Sequence, residues 1–387
     1  MTDNSPETLN VAVAGYAFMG RIHTAGWAQA AKFFGTPARV THVIGRNREN
    51  TQAFADAFGI PNVLTDWRDA VADPDVHVVD VCTPGDSHVD IAIGALEAGK
   101  HVLCEKPLAN SVEGAERMVT AAEAAKGRGV RSMVGFSYRR TPALAYARQL
   151  VQEGRIGDIR HIRAVYLQDW IADPEFPLVW RLDKDAAGSG ALGDVGAHII
   201  DLAAFLTGHR LTGVSGLTET FVKTRPKLAE QTGGLTAKGS AEHGDVTVDD
   251  AAVWVARTDK GALATFEATR FAVGRKNAMR IELNGSKGSL AFDFERMNEL
   301  EFFDFTQPAA ENGFRRILVT EPEHPYVGAW WPAGHGLGYE HTFTHEVKDF
   351  TDAIVEGRDP EPSFADGLAV QKVLTAIEDS KGNWVSL

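Results

Sequence analysis

Short apolar runs and amphipathic stretches alternate along the first 135 residues of the chain. Each apolar run ends in a glycine or a polar turn, and the stretch that follows repeats its apolar positions every three or four residues. This alternation is typical of a parallel sheet with helical crossovers, so it predicts a doubly wound α/β fold. The predicted strands are 9–14, 40–44, 76–82, 101–104 and 131–136, and the predicted helices are 20–32, 50–58, 88–97 and 113–125.

Alternating apolar residues and glycine-containing turns are more prominent in the rest of the chain. Two turns, Thr-Asp-Lys-Gly at 258–261 and Gly-Ser-Lys-Gly at 285–288, are each flanked by alternating runs. This pattern is typical of a β-hairpin, so an antiparallel sheet is expected here. The predicted strands are 160–167, 251–256, 262–269, 279–284 and 289–294.

The length of the chain favours two domains, because 387 residues exceed the size at which one hydrophobic core keeps growing. The change of pattern predicts an α/β domain at 1–136 and an α+β domain at 137–387. Near the C-terminus, four apolar residues recur at helical spacing and are expected to form core: Phe343, Val347, Phe350 and Ile354.

Composition and charge exclude several classes of partner. The apolar runs are shorter than the roughly 18 residues that cross a bilayer, and the first ten residues lack the features of a signal peptide. The net charge of −13 argues against nucleic acid, whose binding relies on Lys and Arg contacts to phosphates. Cys82 and Cys104 lie in apolar runs and are expected to be reduced core residues. We therefore expect a cytoplasmic protein that binds neither nucleic acid nor membranes.

The segment Ala-Gly-Tyr-Ala-Phe-Met-Gly at 14–20 is a candidate dinucleotide loop. It follows a predicted strand and opens a predicted helix, which is the context that a G-x-G-x-x-G fingerprint requires. Gly15 would form the tight turn and Gly20 would let the helix approach the strand. Ala17 replaces the second glycine, but its methyl group removes no N–H donor, so the loop is expected to function. An ordinary strand–turn–helix is the alternative.

The end of the second predicted strand bears on the choice of cofactor. An acidic residue usually binds the ribose hydroxyl of NAD there, whereas this strand ends in Ile-Gly-Arg-Asn at 44–47. Arg46 could pair with a 2′-phosphate or stack on adenine, which weakly favours NADP over NAD. An arginine that only faces solvent is the alternative.

Two further stretches contain candidate catalytic residues. Lys106 follows the fourth predicted strand, and ligands of parallel sheets bind beyond the carboxyl ends of the strands. Pro107 favours an extended backbone at Lys106. Asp194 and His198 are four residues apart on a predicted helix and so share one face, and histidine titrates near neutral pH. Taken singly, each stretch also allows a structural interpretation: a solvated Glu-Lys pair before a helix capped by Asn110, and a histidine satisfied by its i,i+4 partner.

Together these motifs resemble the Gfo/Idh/MocA family (glucose–fructose oxidoreductase, inositol dehydrogenase and rhizopine catabolism proteins) over essentially the whole chain. The stretches 138–142, 166–170, 189–194 and 362–367 look most like its levoglucosan and inositol dehydrogenase branch. Two departures, Ala17 and the pair Gly85-Asp86 where the family often has Asn, both affect the cofactor side. The motifs, in order, are Gly15–Gly20, Thr83-Pro84 with His88, Ala98-Gly-Lys-His-Val102 before Glu105-Lys-Pro107, and Gly193-Asp-x-Gly-x-His-x-x-Asp201.

The resemblance implies an NAD- or NADP-dependent dehydrogenase that oxidises a secondary hydroxyl of a cyclic polyol or sugar to a ketone, without a metal. It implies an N-terminal Rossmann domain and a C-terminal domain whose open sheet mediates a homodimer or homotetramer. In this interpretation His198 is the general base, Lys106 stabilises the developing oxyanion, and Asp194 holds a neighbouring hydroxyl.

The residues expected at the site fall into two groups. The expected cofactor contacts are Gly15, Ala17, Phe18, Met19, Gly20, Arg46, Thr83, Pro84, His88, Glu105 and Lys106. The expected substrate contacts are Lys106, Tyr138, Arg140, Asp169, Trp170, Trp180, Asp194 and His198, with Tyr339 and Glu340 as further candidates.

Two alternative functions are open at this point. A sensor or transcriptional co-regulator would bind the dinucleotide without turnover, but such a protein is expected to have lost Lys106, Asp194 and His198. A sugar–sugar oxidoreductase would keep its cofactor bound between two half-reactions.

Overall fold

The computed structural model describes residues 8–233 and 236–387, and these divide into two units. The first unit contains the chain up to Ser137 together with Tyr339–Ala369. The second contains Tyr138–Gly338 and Val370–Leu387. The chain therefore leaves the first unit and returns to it near the C-terminus.

A six-stranded parallel sheet forms the centre of the first unit. Its strands are β1 (Leu9–Ala14), β2 (Ala38–Ile44), β3 (Asn62–Leu64), β4 (Val78–Val81), β5 (His101–Glu105) and β6 (Ser132–Gly135). They lie in the order β3-β2-β1-β4-β5-β6, and every neighbouring pair is parallel. This is the Rossmann order, whose ligand crevice lies where the order reverses, between β1 and β4. The predicted fold class is confirmed.

Five helices connect these strands. They are α1 (Phe18–Phe34), α2 (Arg48–Phe58), α3 (Trp67–Ala72), α4 (His88–Glu97) and α5 (Val112–Lys126). The sequence pattern did not predict β3 or α3. The expected cap of α5 was also wrong: Ser111, not Asn110, is the N-cap, and its Oγ accepts a 3.1 Å hydrogen bond from the Gly114 N–H.

A mixed, mainly antiparallel sheet of nine strands dominates the second unit. Its strands and those of a separate ribbon are β7 (Ile159–Leu167), β8 (Leu211–Glu219), β9 (Thr224–Gly233), β10 (Thr236–Asp245), β11 (Ala251–Thr258), β12 (Leu263–Thr269), β13 (Ala278–Gly285), β14 (Gly288–Asp293), β15 (Glu299–Asp304), β16 (Arg315–Leu318) and β17 (Val385–Ser386). The order is β16-β15-β14-β13-β7-β12-β11-β8-β17, with β9 and β10 paired on their own. Both predicted hairpins, β11–β12 and β13–β14, are present, and β7 and β12 are parallel.

One face of this sheet carries helices. Helix α8 (Ala197–Thr207) packs against β7 and β13, and α6 (Pro142–Gln152) packs against β14, β15 and α8. The short α7 (Lys184–Ala187) precedes α8 along the chain. Within the described residues, one helical segment, Lys184–Thr207, is long and apolar enough to cross a membrane, and 83% of its apolar window is buried inside the protein. Burial of this kind is typical of a core helix.

On β11, exposed and buried side chains alternate. Val253 and Val255 are 47% and 49% exposed, whereas Trp254 between them is buried. The outer face of this strand therefore exposes two valines to solvent, next to the exposed Arg257.

Two long helices, α9 (Tyr339–Glu356) and α10 (Phe364–Ser380), lie between β16 and β17 along the chain. Helix α9 packs on α1, where a Cβ at Gly26 would lie 3.2 Å from the carbonyl carbon of Phe343. Val347 and Phe350 join the core formed by the central strands and Trp27. The stripe predicted to be core is thus core, and it belongs to the first unit.

Candidate active site

The loop after β1 fits a dinucleotide because its two glycines are sterically required. Gly15 has a φ of 116°, and a Cβ there would lie 2.8 Å from the carbonyl oxygen of Cys82. A Cβ at Gly20 would lie 1.9 Å from the carbonyl oxygen of Gly15. The start of α1 is therefore held against the loop, where its first N–H groups can donate hydrogen bonds to a pyrophosphate.

Ala17 is compatible with this loop. It is the N-cap of α1, with φ −78° and ψ −156°, a conformation open to any L-residue. Its methyl group occupies no strained position, and no side chain there competes for the helix N–H groups. The departure from the family pattern therefore leaves the donors of the loop in place.

Phe18 and Tyr339 stack beside this loop. Their ring centroids are 6.3 Å apart and their planes differ by 5°. Tyr339, a candidate substrate contact from the sequence, thus lies in the first unit next to the glycine loop. Met19 is half-buried and packs against the core of the same unit.

Arg46 lies exposed just beyond β2. Its neighbour Asn47 caps α2 by accepting a 3.0 Å hydrogen bond from the Asn50 N–H. The segment 45–47 contains no carboxylate. The structure thus places a positive charge at the position where an acidic residue would bind a ribose.

His88 connects the loops after β4 and β5. Its Nε2 lies 2.9 Å from the carbonyl oxygen of Thr83, and its Nδ1 lies 3.0 Å from that of Pro107. The ring is buried, so it fixes these loops from within. Gly85 follows Pro84, and a Cβ at Gly85 would lie 2.4 Å from Oδ1 of Asn110. This close approach explains the glycine at position 85, which belongs to the pair Gly85-Asp86 where the family often has Asn.

Glu105, the residue before Lys106, belongs to a buried network of charged side chains. His23 Nδ1 is 3.0 Å from Asp80, and His23 Nε2 is 3.0 Å from Oε1 of Glu105. Burial lowers the pKa of His23, but the charges of Asp80 and its neighbours outweigh this, so the pKa is raised well above its usual value. Oε2 of Glu105 accepts a 3.1 Å hydrogen bond from the Lys106 N–H. The backbone N–H of Lys106 is therefore hydrogen-bonded to this network. The peptide bond between Lys106 and Pro107 is cis.

The same network contains ligand-type atoms from His23, Glu105 and Glu346 within 4.8 Å of one another. Both ring nitrogens of His23 already lie within hydrogen-bond distance of carboxylates, those of Asp80 and Glu105. We therefore interpret this cluster as an ion network. Sequence spacing did not reveal it, since its members come from separate helices and strands.

In the second unit, His198 lies among aromatic rings. The ring of Tyr138 is 4.6 Å from the imidazole, centroid to centroid, and that of Tyr166 is 5.8 Å away. The hydroxyl of Tyr166 donates a 2.6 Å hydrogen bond to Oδ1 of Asn277. The sequence selected Tyr138 as a substrate contact; in the structure it is buried and packs against the proposed base.

Asp194 lies in a π-helix, Leu192–Gly196, immediately before α8. The sequence predicted a helix that would place Asp194 and His198 on a common face; the structure is helical through both residues, but its geometry around Asp194 is that of a π-helix. Such π-turns occur frequently at functional sites. Nη1 of the buried Arg270 lies 3.5 Å from Oδ2 of Asp194, whose side chain is 27% exposed. Arg270 was missed because it follows β12, far from the motifs.

The other substrate candidates of the second unit have partners of their own. Asp169 binds Lys276 at 2.8 Å and the Gly274 N–H at 3.0 Å, and the hydrogen bond from Lys276 lowers the pKa of its carboxyl. The guanidinium of Arg270 lies 5.6 Å from the ring centroid of Trp170, and that of Arg181 lies 4.3 Å from Trp180. Arg140 is buried.

Asp201, the last residue of the motif around His198, forms a buried ion pair. Its Oδ2 accepts a 2.7 Å hydrogen bond from Nε of Arg139, and both side chains are less than a tenth exposed. The motif thus combines groups at the candidate site, Asp194 and His198, with a carboxylate that stabilises the fold.

Two family models match the chain. Residues 9–136 match the oxidoreductase family with an NAD-binding Rossmann fold, and residues 144–291 match the GFO/IDH/MocA C-terminal domain. The chain belongs to the Gfo/Idh/MocA family. As a member of that family it is an NAD-dependent oxidoreductase, which confirms the resemblance given by its motifs.

Similar proteins span the whole length of this Gfo/Idh/MocA oxidoreductase. Levoglucosan dehydrogenase of Pseudarthrobacter phenanthrenivorans is 43% identical over 98% of both chains. A crystal structure of an oxidoreductase domain protein from Kribbella flavida is 60% identical, with a TM-score of 0.93, and covers 98% of this chain and 99% of that one. A levoglucosan dehydrogenase in complex with NADH and levoglucosan is 41% identical, with a TM-score of 0.91, and covers the same shares of the two chains.

Proposed function

We propose that this oxidoreductase oxidises a secondary hydroxyl of a cyclic sugar to a ketone, with levoglucosan as the first candidate substrate and an inositol as the second. The observation that carries the proposal is the 43% identity to levoglucosan dehydrogenase, which extends over 98% of both chains. In this proposal the first unit binds the dinucleotide, and the second unit provides side chains that bind the sugar.

The reaction requires a base, an oxyanion stabiliser and a group that orients the sugar. The nicotinamide, when bound, supplies the hydride acceptor. His198 removes the hydroxyl proton, the general-base role that histidine most often fills in enzymes. Lys106 donates to the same oxygen and stabilises its developing charge. Asp194 accepts a hydrogen bond from a neighbouring hydroxyl.

NAD is the cofactor we propose, since a similar levoglucosan dehydrogenase is described in complex with NADH. The charge of the exposed Arg46 favours a 2′-phosphate, so it should give some activity with NADP. The ratio of kcat/KM for the two cofactors measures this choice. Arg46→Ala is expected to lower kcat/KM for NADP more than that for NAD.

We also propose that the protein is cytoplasmic and forms a homodimer or homotetramer through the exposed face of its large sheet. Support comes from the exposed valines of β11, Val253 and Val255, because soluble monomers seldom leave continuous apolar surface uncovered. Light scattering after gel filtration measures the assembly. A double change to Val253→Glu and Val255→Glu should yield smaller species.

Nicotinamide reduction with a panel of levoglucosan, myo-inositol and open-chain polyols tests the reaction. Levoglucosan should give the highest kcat/KM.

Two variants test the proposed roles of His198 and Lys106. His198→Asn should lower kcat by about 10²–10⁴, whereas His335→Asn, at an exposed histidine, should leave kcat unchanged. Lys106→Met should lose turnover but keep NAD affinity by calorimetry. No reduction with any member of the panel would overturn the proposal, and retention of nicotinamide after gel filtration would instead favour a sugar–sugar oxidoreductase.

A further inference from the structure

Arg270 carries a positive charge into the interior of the second unit. Its side chain is 0% exposed, and it follows β12 directly. Burying a charge is costly unless it is paired and hydrogen-bonded. The partners of this guanidinium therefore indicate why it is there.

Two main-chain oxygens and one carboxylate surround the guanidinium. Nη2 donates to the carbonyl oxygen of Asp249 at 3.2 Å, and Nη1 donates to that of Arg181 at 3.4 Å. Carbonyl oxygens satisfy donors but carry no net charge. Asp194 lies within ion-pair distance of the charge, with its Oδ2 3.5 Å from Nη1.

The segment before Asp194 is fixed to the same place by a second buried acid. Both carboxylate oxygens of Asp249 accept main-chain hydrogen bonds, from Gly190 at 2.6 Å and from Leu192 at 2.7 Å. Burial raises the pKa of Asp249, although Arg270 and these N–H groups oppose the shift. A Cβ at Gly190 would lie 2.9 Å from Nη2 of Arg270, so the segment passes closely over the guanidinium.

We propose that Arg270 is a positioning residue for the reaction, which holds the carboxylate of Asp194 in the orientation that binds a sugar hydroxyl. The inference rests on the proposed function. Arg270 contacts Asp194 from the interior of the unit, while the side chain of Asp194 is 27% exposed and so can be reached by a substrate. Loss of the guanidinium should therefore affect sugar binding and turnover, and it should act through Asp194.

A double-mutant cycle tests this coupling. Arg270→Lys keeps the charge, and Arg270→Gln keeps N–H donors without it. We expect kcat/KM for the sugar to fall on the order of tenfold or more, further for Gln than for Lys, within the range of residues in one ion-pair network. KM for NAD should be unchanged. In an Asp194→Asn background, either change should have little additional effect.

Arg225 provides a matched control. It is equally buried, and its guanidinium donates to the carbonyl oxygens of Ile171, Asp173 and Phe176. Arg225→Lys should destabilise the protein, as a change in any buried arginine would. Its effect on kcat/KM should be the same in the wild type and in the Asp194→Asn background, so that the two effects are additive.

The outcomes separate the two proposals. A wild-type protein without sugar dehydrogenase activity would overturn the proposed function and this inference with it. An active wild type in which Arg270 and Asp194 changes are additive, or in which Asp194→Asn has no effect, would overturn the inference alone. Should the Arg270 variants not fold, Asp194→Ala decides: it should lower the urea midpoint because the buried guanidinium loses an ion-pair partner, and an unchanged midpoint would overturn the inference.

Discussion

The imidazole of His23 lies 3.0 Å from the carboxylate of Glu105, the residue immediately before Lys106. The other ring nitrogen is 3.0 Å from Asp80, which also accepts a 2.7 Å hydrogen bond from Nε1 of Trp27. His23 is thus the cation between two buried acids. Its position connects α1 to the ends of β4 and β5, from which the candidate cofactor and substrate groups emerge.

His23→Leu should destabilise the protein strongly, because it leaves Asp80 and Glu105 buried without their cation. Removing one partner of a buried ion pair costs about 3–5 kcal/mol. The free energy of unfolding, measured in urea at pH 6, reports the loss. The exposed His335 supplies the control, since His335→Leu should have little effect.

The stabilisation from His23 should also depend on pH. The groups that face its ring are Asp80 on β4, Cys82 immediately after that strand, Glu105 on β5, and Glu346 on α9. Because its folded-state pKa is raised, the contribution is fully present below the unfolded pKa of about 6.5 and is lost as pH rises through the folded value. The difference between wild type and His23→Leu should shrink above pH 6.5, with a slope of at most about 1.4 kcal/mol per pH unit. A difference that grows with pH would contradict a charged His23.

Gly15 and Ala17 of the glycine loop should respond differently to substitution. Gly15→Ala forces a φ of 116° on an L-residue and pushes its Cβ to 2.8 Å from the carbonyl oxygen of Cys82. Strain of about 1–3 kcal/mol is expected, with weaker NAD binding. Ala17→Gly, at an ordinary backbone conformation, should leave the Kd for NAD nearly unchanged. Calorimetry on both variants makes the comparison; tighter NAD binding by Ala17→Gly would show that the methyl group of Ala17 limits the approach of the cofactor.

Asp201 should matter for stability and little for chemistry. Asp201→Ala removes the partner of the buried Arg139, with an expected loss of about 3–5 kcal/mol. At a temperature where the variant is folded, kcat should stay close to that of the wild type. The exposed pair Arg163–Glu282 at 2.8 Å is the control, because Glu282→Gln should cost less than about 1 kcal/mol. A collapse of kcat at unchanged stability would place Asp201 in the reaction.

Gly190→Ala should displace the segment before Asp194. Its Cβ would lie 1.7 Å from the carbonyl oxygen of Asp249, so the backbone has to move. We expect a loss of about 1–3 kcal/mol, as for overpacking, together with reduced kcat/KM for the sugar. Gly313→Ala meets nothing within 4 Å and should be neutral in both assays.

Local patterns sufficed for most of the Rossmann sheet and for the two hairpins. The strand β1 was predicted at its observed bounds, because apolar alternation ending in Gly15 is a local signal. Strand β3 has three residues, too few for any periodicity, and was missed. The π-helix around Asp194 was also missed, since its sequence gives the same apolar spacing as an α-helix and its geometry depends on Asp249.

The candidate site was recognised through its motifs, and the groups that support it were not. Lys106, Asp194 and His198 lie in recognisable stretches, whereas His23, Tyr166 and Arg270 act through contacts between segments far apart in the chain. The aromatic and charged candidates were chosen by composition. Composition does not reveal that Asp169 already binds Lys276 or that Tyr138 is packed on His198.

The return of α9 to the Rossmann sheet has a consequence for biosynthesis. Val347 and Phe350 share a core with Val11 and Trp27, so the nucleotide half lacks part of its interior until almost all of the protein has left the ribosome. A nascent chain that ends before Tyr339 would expose this apolar surface throughout translation of the intervening segment. Such a chain is a natural client for chaperones, and a fragment cut after Ser137 would inherit the same defect.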